Sequence, residues 1–196
     1  MASRNELKDA SVDSGLFHVY NRGVGRANIF RDGADFQQFL DCLSRYVDIE
    51  PRLDLKYRTY VSLRDRVSVV SYCLMPNHYH LIVKQHVAGG MRDLMQRAMG
   101  GYVKYFNGRY DRPGPLFQGR YKASQIGTAR YARRAVAYVH LNNEELGRDF
   151  RWSSHRIYAD DHPCRWLDVE AGLALFGDLA GYLRYLDAYE KPRSTR

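Results

Sequence analysis

The sequence predicts an α+β fold: a ferredoxin-like antiparallel sheet with helices on one face and one appended helix. Three observations predict it. Strand-like and helical patterns follow one another as strand, helix, strand, strand, helix, strand between residues 16 and 126. The middle two strands are separated by a Pro-Asn pair, which reads as a hairpin turn. A third helical pattern begins at Thr128, after the last strand.

Each element has its own signal. LFHVYNR over 16–22 is a β-type run closed by Gly23 and Gly25. Phe36, Phe39, Leu40, Leu43, Tyr46 and Val47 recur at spacings of three and four after Asp32 or Asp35 as a cap, so the first helix lies here. Residues 51–65 read as a loop. RVSVVSYCLM and HYHLIVKQ are the hairpin strands on either side of Pro76 and Asn77. Met91, Leu94, Met95, Ala98, Met99, Tyr102, Val103 and Phe106 form the apolar stripe of a second helix, and core packing explains its methionines. GRYDRPGP over 108–115 breaks that helix, and LFQGRYKASQI supplies the fourth strand. TARYARRAVAYVHLNNEELG then reads as a third helix running from the Thr128 cap to Gly147. The tail carries WSSHRIY and a further helical pattern around Val169 to Phe176. The expected division is an extension over 1–14, a domain over 15–150, and a helical tail over 151–196 packed on or following the domain.

Composition narrows the class. At 196 residues with 45% hydrophobic content, the chain has enough apolar material for one domain with a real core. No apolar stretch of spanning length is present, and the first residues lack the apolar segment of a signal peptide, so a cytoplasmic protein with no membrane partner is expected. Cys42, Cys73 and Cys164 are too few and scattered for a disulfide framework and read as small buried apolar residues.

The net charge is +8, and its distribution says more than its total. Ten basic residues between Arg92 and Arg134 face two acidic ones, so this segment holds the whole excess. Tyr102, Tyr105, Phe106, Tyr110, Phe117, Tyr121 and Tyr131 are interleaved with them. Aromatic faces among cations suit stacking on unpaired bases, although a solvated basic face with core aromatics has the same composition. Arginine outnumbers lysine 24 to 6, which favours forked phosphate contacts. The candidate nucleic-acid contacts are Arg97, Lys104, Tyr105, Arg109, Arg112, Arg120, Lys122, Arg130, Arg133 and Arg134. Tyr105, Tyr110 and Tyr121 are the stacking candidates, and Tyr102 belongs to the core.

The chemistry centres on YCLMPNHYHLIV. Residues two apart on a strand share a face, so His78 and His80 project together while Tyr79, Leu81 and Val83 take the other side. Paired imidazoles suit a shared metal ion or anion, and a divalent metal would need a further protein ligand with positions open to substrate oxygen and water. Tyr138 and Asn142 lie four apart in the third helical pattern and so stack on one helical face. If that face meets the histidine strand, Asn142 can offer its amide oxygen to the metal and Tyr138 its hydroxyl to the polarised group. A tyrosine beside a metal on a basic, aromatic surface points to phosphodiester chemistry. Tyr131 is the rival nucleophile, but Ala135 rather than an amide stands four residues after it. His140 points away from the Tyr138 face and is expected to be exposed. His18 receives no role, and a strand-end turn explains Asn21 and Arg22 as well as DNA contact does.

FHVYNRG, YCLMPNHYHLIV, GPLFQGRYK, and YVHLNN followed by WSS together resemble the REP-associated tyrosine transposases of the single-tyrosine HUH superfamily, which are IS200-like, over about Phe17 to Phe176. The resemblance implies that His78 and His80 ligate Mg²⁺ or Mn²⁺, that Asn142 supplies the metal-binding amide, and that Tyr138 is the nucleophile of an appended catalytic helix. It departs from the family pattern at Asn143, where proline is usual. It further implies cleavage of single-stranded DNA through a covalent 5′-phosphotyrosine, on palindromic repeats folded as hairpins with an unpaired flank. A non-cleaving module that grips hairpin DNA or RNA is the alternative. A water-activating hydrolase would need a carboxylate near the histidines, and residues 67–85 contain neither Asp nor Glu. Monomer and homodimer are both open.

Overall fold

The computed structural model describes residues 14–54, 56–142, 150–159 and 164–189. Four strands, β1 (Gly15–Arg22), β2 (Val67–Met75), β3 (His78–Gln85) and β4 (Lys122–Ile126), form one sheet in the order β2-β3-β1-β4. Each neighbouring pair is antiparallel, as a ferredoxin-like sheet requires. Pro76 and Asn77 make the hairpin turn between β2 and β3, since proline cannot donate to a ladder and is well suited to a turn.

The sheet's two faces have different jobs. On one, Phe17, Val19, Tyr79, Leu81 and Val83 are all at most 1% exposed. They pack under α1 (Gly33–Val47) and α2 (Gly90–Arg109), with the Phe39 and Tyr79 rings 5.1 Å apart. Full burial of each such side chain contributes about 1.5–3 kcal/mol. Asp32 caps α1 by accepting from the Ala34 and Asp35 amides. Asp35 itself is fully buried, yet its carboxylate is well satisfied: it accepts from Arg31 N (2.8 Å), Arg109 Nη1 (2.7 Å), Tyr110 Oη (2.9 Å) and Tyr105 Oη (3.2 Å). This cluster ties α1 to the end of α2. Tyr102 belongs to the core, and its hydroxyl donates to the Ile29 carbonyl.

The opposite face carries α3 (Ala129–His140), capped by the Thr128 side chain, which accepts from the Tyr131 amide. The helix is shorter than the sequence pattern indicates. It ends at His140, with Leu141 as its C-cap, and the expected end at Gly147 falls in residues 143–149, outside the described ones. Asparagine side chains compete for backbone hydrogen bonds, so the Asn pair after Leu141 is a poor continuation. His140 is a second correction. Expected in solvent, it is 1% exposed, with Nε2 2.7 Å from Ser154 Oγ and Nδ1 2.7 Å from Tyr182 Oη. The helix pattern could not disclose this, because the covering residues come from far along the chain.

Those residues belong to the C-terminal segment, with α4 (His155–Ala159), α5 (Val169–Ala174) and α6 (Leu179–Asp187). It runs along the outer edge of β2: Leu74 N donates to Trp152 O (3.0 Å), Ser154 N to Tyr72 O (2.9 Å) and Asp168 N to Val69 O (2.8 Å). The Tyr158 hydroxyl donates to the Val70 carbonyl at 2.8 Å. Covering an edge strand in this way satisfies backbone groups that would otherwise face solvent or another chain. Gly172 is required at its position, since a Cβ there would stand 1.7 Å from Tyr158 Oη. Among the described residues no helix is long and apolar enough to cross a membrane.

Candidate active site

Strand register assembles the site. Tyr20 stands opposite His80 and Arg22 opposite His78 across β1 and β3, while Tyr20 stands opposite Lys122 across β1 and β4. Directly opposed residues share a face. His18, Tyr20, Arg22, His78, His80 and Lys122 therefore line one surface, away from α1 and α2. Onto this surface α3 brings Tyr138, whose ring centroid is 5.6 Å from that of His80 and 5.9 Å from that of His18, both edge-on. Tyr20 stacks at 5.7 Å on His80 and at 5.2 Å on His18.

Three imidazoles in a dry setting must share few protons. Burial pushes His18 down to about 4 and lowers His78, where Arg22 adds its charge to the effect. Burial, with His18 and His78 as neighbours, holds His80 well below the ordinary histidine value. At neutral pH the rings are uncharged, and each carries one N–H. His78 Nδ1 is 2.6 Å from Asn77 Oδ1, and an amide oxygen only accepts, so the His78 proton sits on Nδ1 and the Nε2 lone pair is the one a cation can use. His80 Nδ1 is 2.8 Å from His18 Nε2. When His80 donates across this bond, its Nε2 also presents a lone pair. The donor chemistry thus fits a divalent cation held by two Nε2 atoms. Among the described residues no group of three or more His, Cys, Asp or Glu side chains could hold a metal. Remaining ligands would come from an amide, substrate or water.

The structure brings His78, His80 and Tyr138 together. Asn142 lies two residues beyond the last helical residue of α3, and its backbone N–H donates to Val139 O at 3.4 Å. Tyr131, the rival tyrosine, is 47% exposed near the start of α3. The basic residues separate into two sets. Arg97, Lys104, Tyr105 and Arg109 belong to α2, across the sheet from the histidines. Within that set, Arg109 forms ion pairs with Asp32 (2.6 Å) and Asp35 (2.7 Å), and Tyr105 hydrogen-bonds Asp35, so both are engaged in holding α1 to α2. Arg112 donates to Pro115 O and Asn107 Oδ1 in the turn after α2. Arg133 donates to Leu175 O and fastens α3 to the C-terminal segment. Arg120, Lys122, Arg130 and Arg134 are exposed on or beside β4 and α3.

Two residues of the site escaped the sequence reading. His18 sits at the same alternation as Tyr20 and Arg22, but only the pairing of β1 with β3 shows that it reaches His80. Asn77 read simply as a turn residue. It fixes the His78 tautomer and also donates from Nδ2 to Arg26 O at 3.3 Å.

Comparison with known proteins adds three findings. Residues 48–142 match the family model described as IS200-like transposases. A REP-associated tyrosine transposase, solved bound to a REP hairpin, has a similar fold: TM-score 0.55, 17% identity, 86% of this chain and 93% of that one covered. A protein from Deinococcus radiodurans R1, assigned as a transposase, aligns over 68% of this chain and 92% of its own at 15% identity and TM-score 0.40. No curated protein sequence matches the chain.

Proposed function

Because residues 48–142 match the IS200-like transposase family model, we propose that this chain cuts and rejoins single-stranded DNA through a covalent bond to Tyr138. The observation that carries the reading is the position of the Tyr138 ring, 5.6 Å from His80 on the face that also carries His78. In cleavage, the Tyr138 oxygen bonds to a phosphodiester phosphorus and the bond from that phosphorus to the 3′ oxygen breaks. The tyrosine proton passes to solvent, and the leaving 3′ oxygen takes one up. The products are a 5′-phosphotyrosine and a free 3′-hydroxyl. Attack on this ester by a DNA 3′-hydroxyl rejoins strands with no external energy source, because one phosphodiester replaces another.

The chain's own groups prepare that exchange. Asn77 and His18 hold the two imidazoles by their Nδ1 atoms, so both Nε2 atoms keep fixed directions. Burial of His18, His78 and His80 keeps them uncharged and thin in water. His78 and His80, with Asn142 as third protein ligand, would hold Mg²⁺ or Mn²⁺, which would supply neutralising charge at the phosphate. The substrate is a hairpin-forming palindromic repeat with an unpaired flank, bound in the cytoplasm. A protein of similar fold was solved bound to a REP hairpin, and the exposed cations Lys122, Arg130 and Arg134 lie on the Tyr138 side of the sheet.

The test is a denaturing gel of the protein incubated with hairpin DNA and Mg²⁺. The wild-type chain should give a covalent adduct. Tyr138→Phe keeps the ring and should lose both adduct and cleavage while melting within about 1 kcal/mol of wild type. His78→Ala should abolish cleavage and leave most hairpin binding, since phosphate contacts supply the affinity. Peptide mass spectrometry that located the nucleotide on Tyr131 or Tyr121 would overturn the assignment. A folded protein that binds but forms no adduct would favour a gripping module that does not cut.

A further inference from the structure

The stretch WSSH over 152–155 takes no part in the exchange at phosphorus, yet it stands in line with the histidines. Ser153 opposes Cys73 across the outer edge of β2, Cys73 opposes His80, and His80 opposes Tyr20. Directly opposed residues share a face, so these four form one row across the sheet on the side that carries α3. Ser153 lies two strand spacings, about 10 Å, from His80 along that row. Backbone bonds fix it there: Leu74 N donates to Trp152 O at 3.0 Å and Ser154 N to Tyr72 O at 2.9 Å.

The row meets α3 at its last turn. Ser153 Oγ donates to the His140 carbonyl at 3.3 Å, one of the acceptors that a helix C-terminus leaves without an internal partner. The His140 ring is gripped as well: three bonds of 2.7 Å join Ser154 Oγ to His140 Nε2, His140 Nδ1 to Tyr182 Oη, and Tyr182 Oη to His155 Nδ1. Ser154 Oγ in turn accepts from Tyr72 N at 2.8 Å, which carries the chain of bonds back to β2. A serine this close to an imidazole has the spacing of a nucleophile with its base, but Ser154 is fully buried and out of reach of any substrate. A buried, satisfied polar network instead makes the elements that it joins rigid. Residues two apart on a helix point about 200° from one another, so a grip on the His140 ring from behind fixes the roll that aims Tyr138 at His80. Two turns earlier Arg133 donates to Leu175 O at 3.2 Å, so the C-terminal segment holds α3 at both levels.

We propose that Ser153, Ser154, His140 and Tyr182 are positioning residues for the nucleophile: they set the height and roll of α3 over the histidine row, and through them the distance from Tyr138 to the phosphate that it attacks. The proposal rests on the reading of Tyr138 as nucleophile. Attack needs the reacting atoms aligned and about 3–3.5 Å apart, and a displacement of about 1 Å costs on the order of a hundredfold in rate. The four residues are buried and act through α3, so their loss reaches rate before affinity.

The experiment takes Tyr182→Phe and Ser154→Ala in the full chain and reads two quantities. The first is the single-turnover rate of adduct formation on hairpin DNA with Mg²⁺, set against hairpin affinity. The second is the fluorine NMR spectrum of protein carrying 3-fluorotyrosine in place of Tyr138 or, as a control on the same helix, of Tyr131. The rate should fall by about 10- to 100-fold while affinity stays within about twofold. The resonance at 138 should shift or split while that at the exposed position 131 stays where it is, a contrast that general loss of stability does not produce. Ser153→Ala removes a single hydroxyl at the His140 carbonyl; it should act in the same direction and keeps the test decisive if the other two variants fold poorly. An unchanged rate in a folded variant, a loss of affinity as large as the loss of rate, or equal shifts at 131 and 138 would each overturn the proposal. A wild-type chain that forms no adduct refutes the nucleophile reading alone, and the fluorine spectra then decide whether these residues place Tyr138.

Discussion

Tyr79 lies between two histidines in sequence and has the opposite fate from both. Strand alternation sends its ring under α1, where it is fully buried, and its hydroxyl has no hydrogen-bond partner among the described residues. Burial pushes its pKa up, so the group stays a neutral phenol. A buried donor without a partner carries an uncompensated desolvation cost. Tyr79→Phe should therefore be neutral or stabilise the fold by up to about 1 kcal/mol, read as a melting midpoint in denaturant. Destabilisation by more than about 1 kcal/mol would mean that the hydroxyl is used. The sidedness of this tyrosine is legible from period-two alternation alone. The roles of His18 and Asn77 are not, because each depends on what another strand or turn places opposite it.

At the level of elements, the sequence order of strands and helices carries over to the structure because apolar periodicity and turn residues are local signals. Thr128 caps α3 as its sequence position indicates. The end of α3 is not legible in the same way, since its last turn is held by groups supplied by α4 and α6. Tyr182 Oη joins His140 Nδ1 to His155 Nδ1, at 2.7 Å from each, and Ser154 Oγ takes the other side of His140. Burial, with His155 as a neighbour, drives the His140 pKa well below the ordinary value. A depressed histidine pKa means that the unfolded chain binds the proton more readily. Stability is then complete above the unfolded value of about 6.5 and falls as pH drops below it. The fall reaches up to about 1.4 kcal/mol per pH unit. Denaturant melts at pH 7 and pH 5 should show it, and His140→Gln should reduce the difference between them. His18 and His80 shift in the same direction and will leave a residual slope. An unchanged pH dependence in the variant would show that His140 does not titrate on unfolding.

For the whole molecule, the basic segment looks uniform along the chain and is divided in space. Counting charge between Arg92 and Arg134 cannot reveal that α2 and α3 lie on opposite faces of the sheet. Arg109 is an internal counter-ion, while Lys122 faces the histidines. The C-terminal cover of β2 has a consequence for how the chain comes to be folded. Tyr72 and Ser154 are 82 positions apart, Val70 and Tyr158 are 88, and Ser68 and Asp168 are 100. During synthesis β2 and its hairpin emerge well before the residues that finish their outer edge, and loops of this length slow the closing contacts. In that interval a bare strand is offered to any neighbouring nascent chain. A chain stopped before Phe150 should therefore show excess light scattering on refolding relative to the longer chain, and a truncated form that refolds to a clean monomer would refute this. A stretch of chain made later acts as a guard on one made earlier.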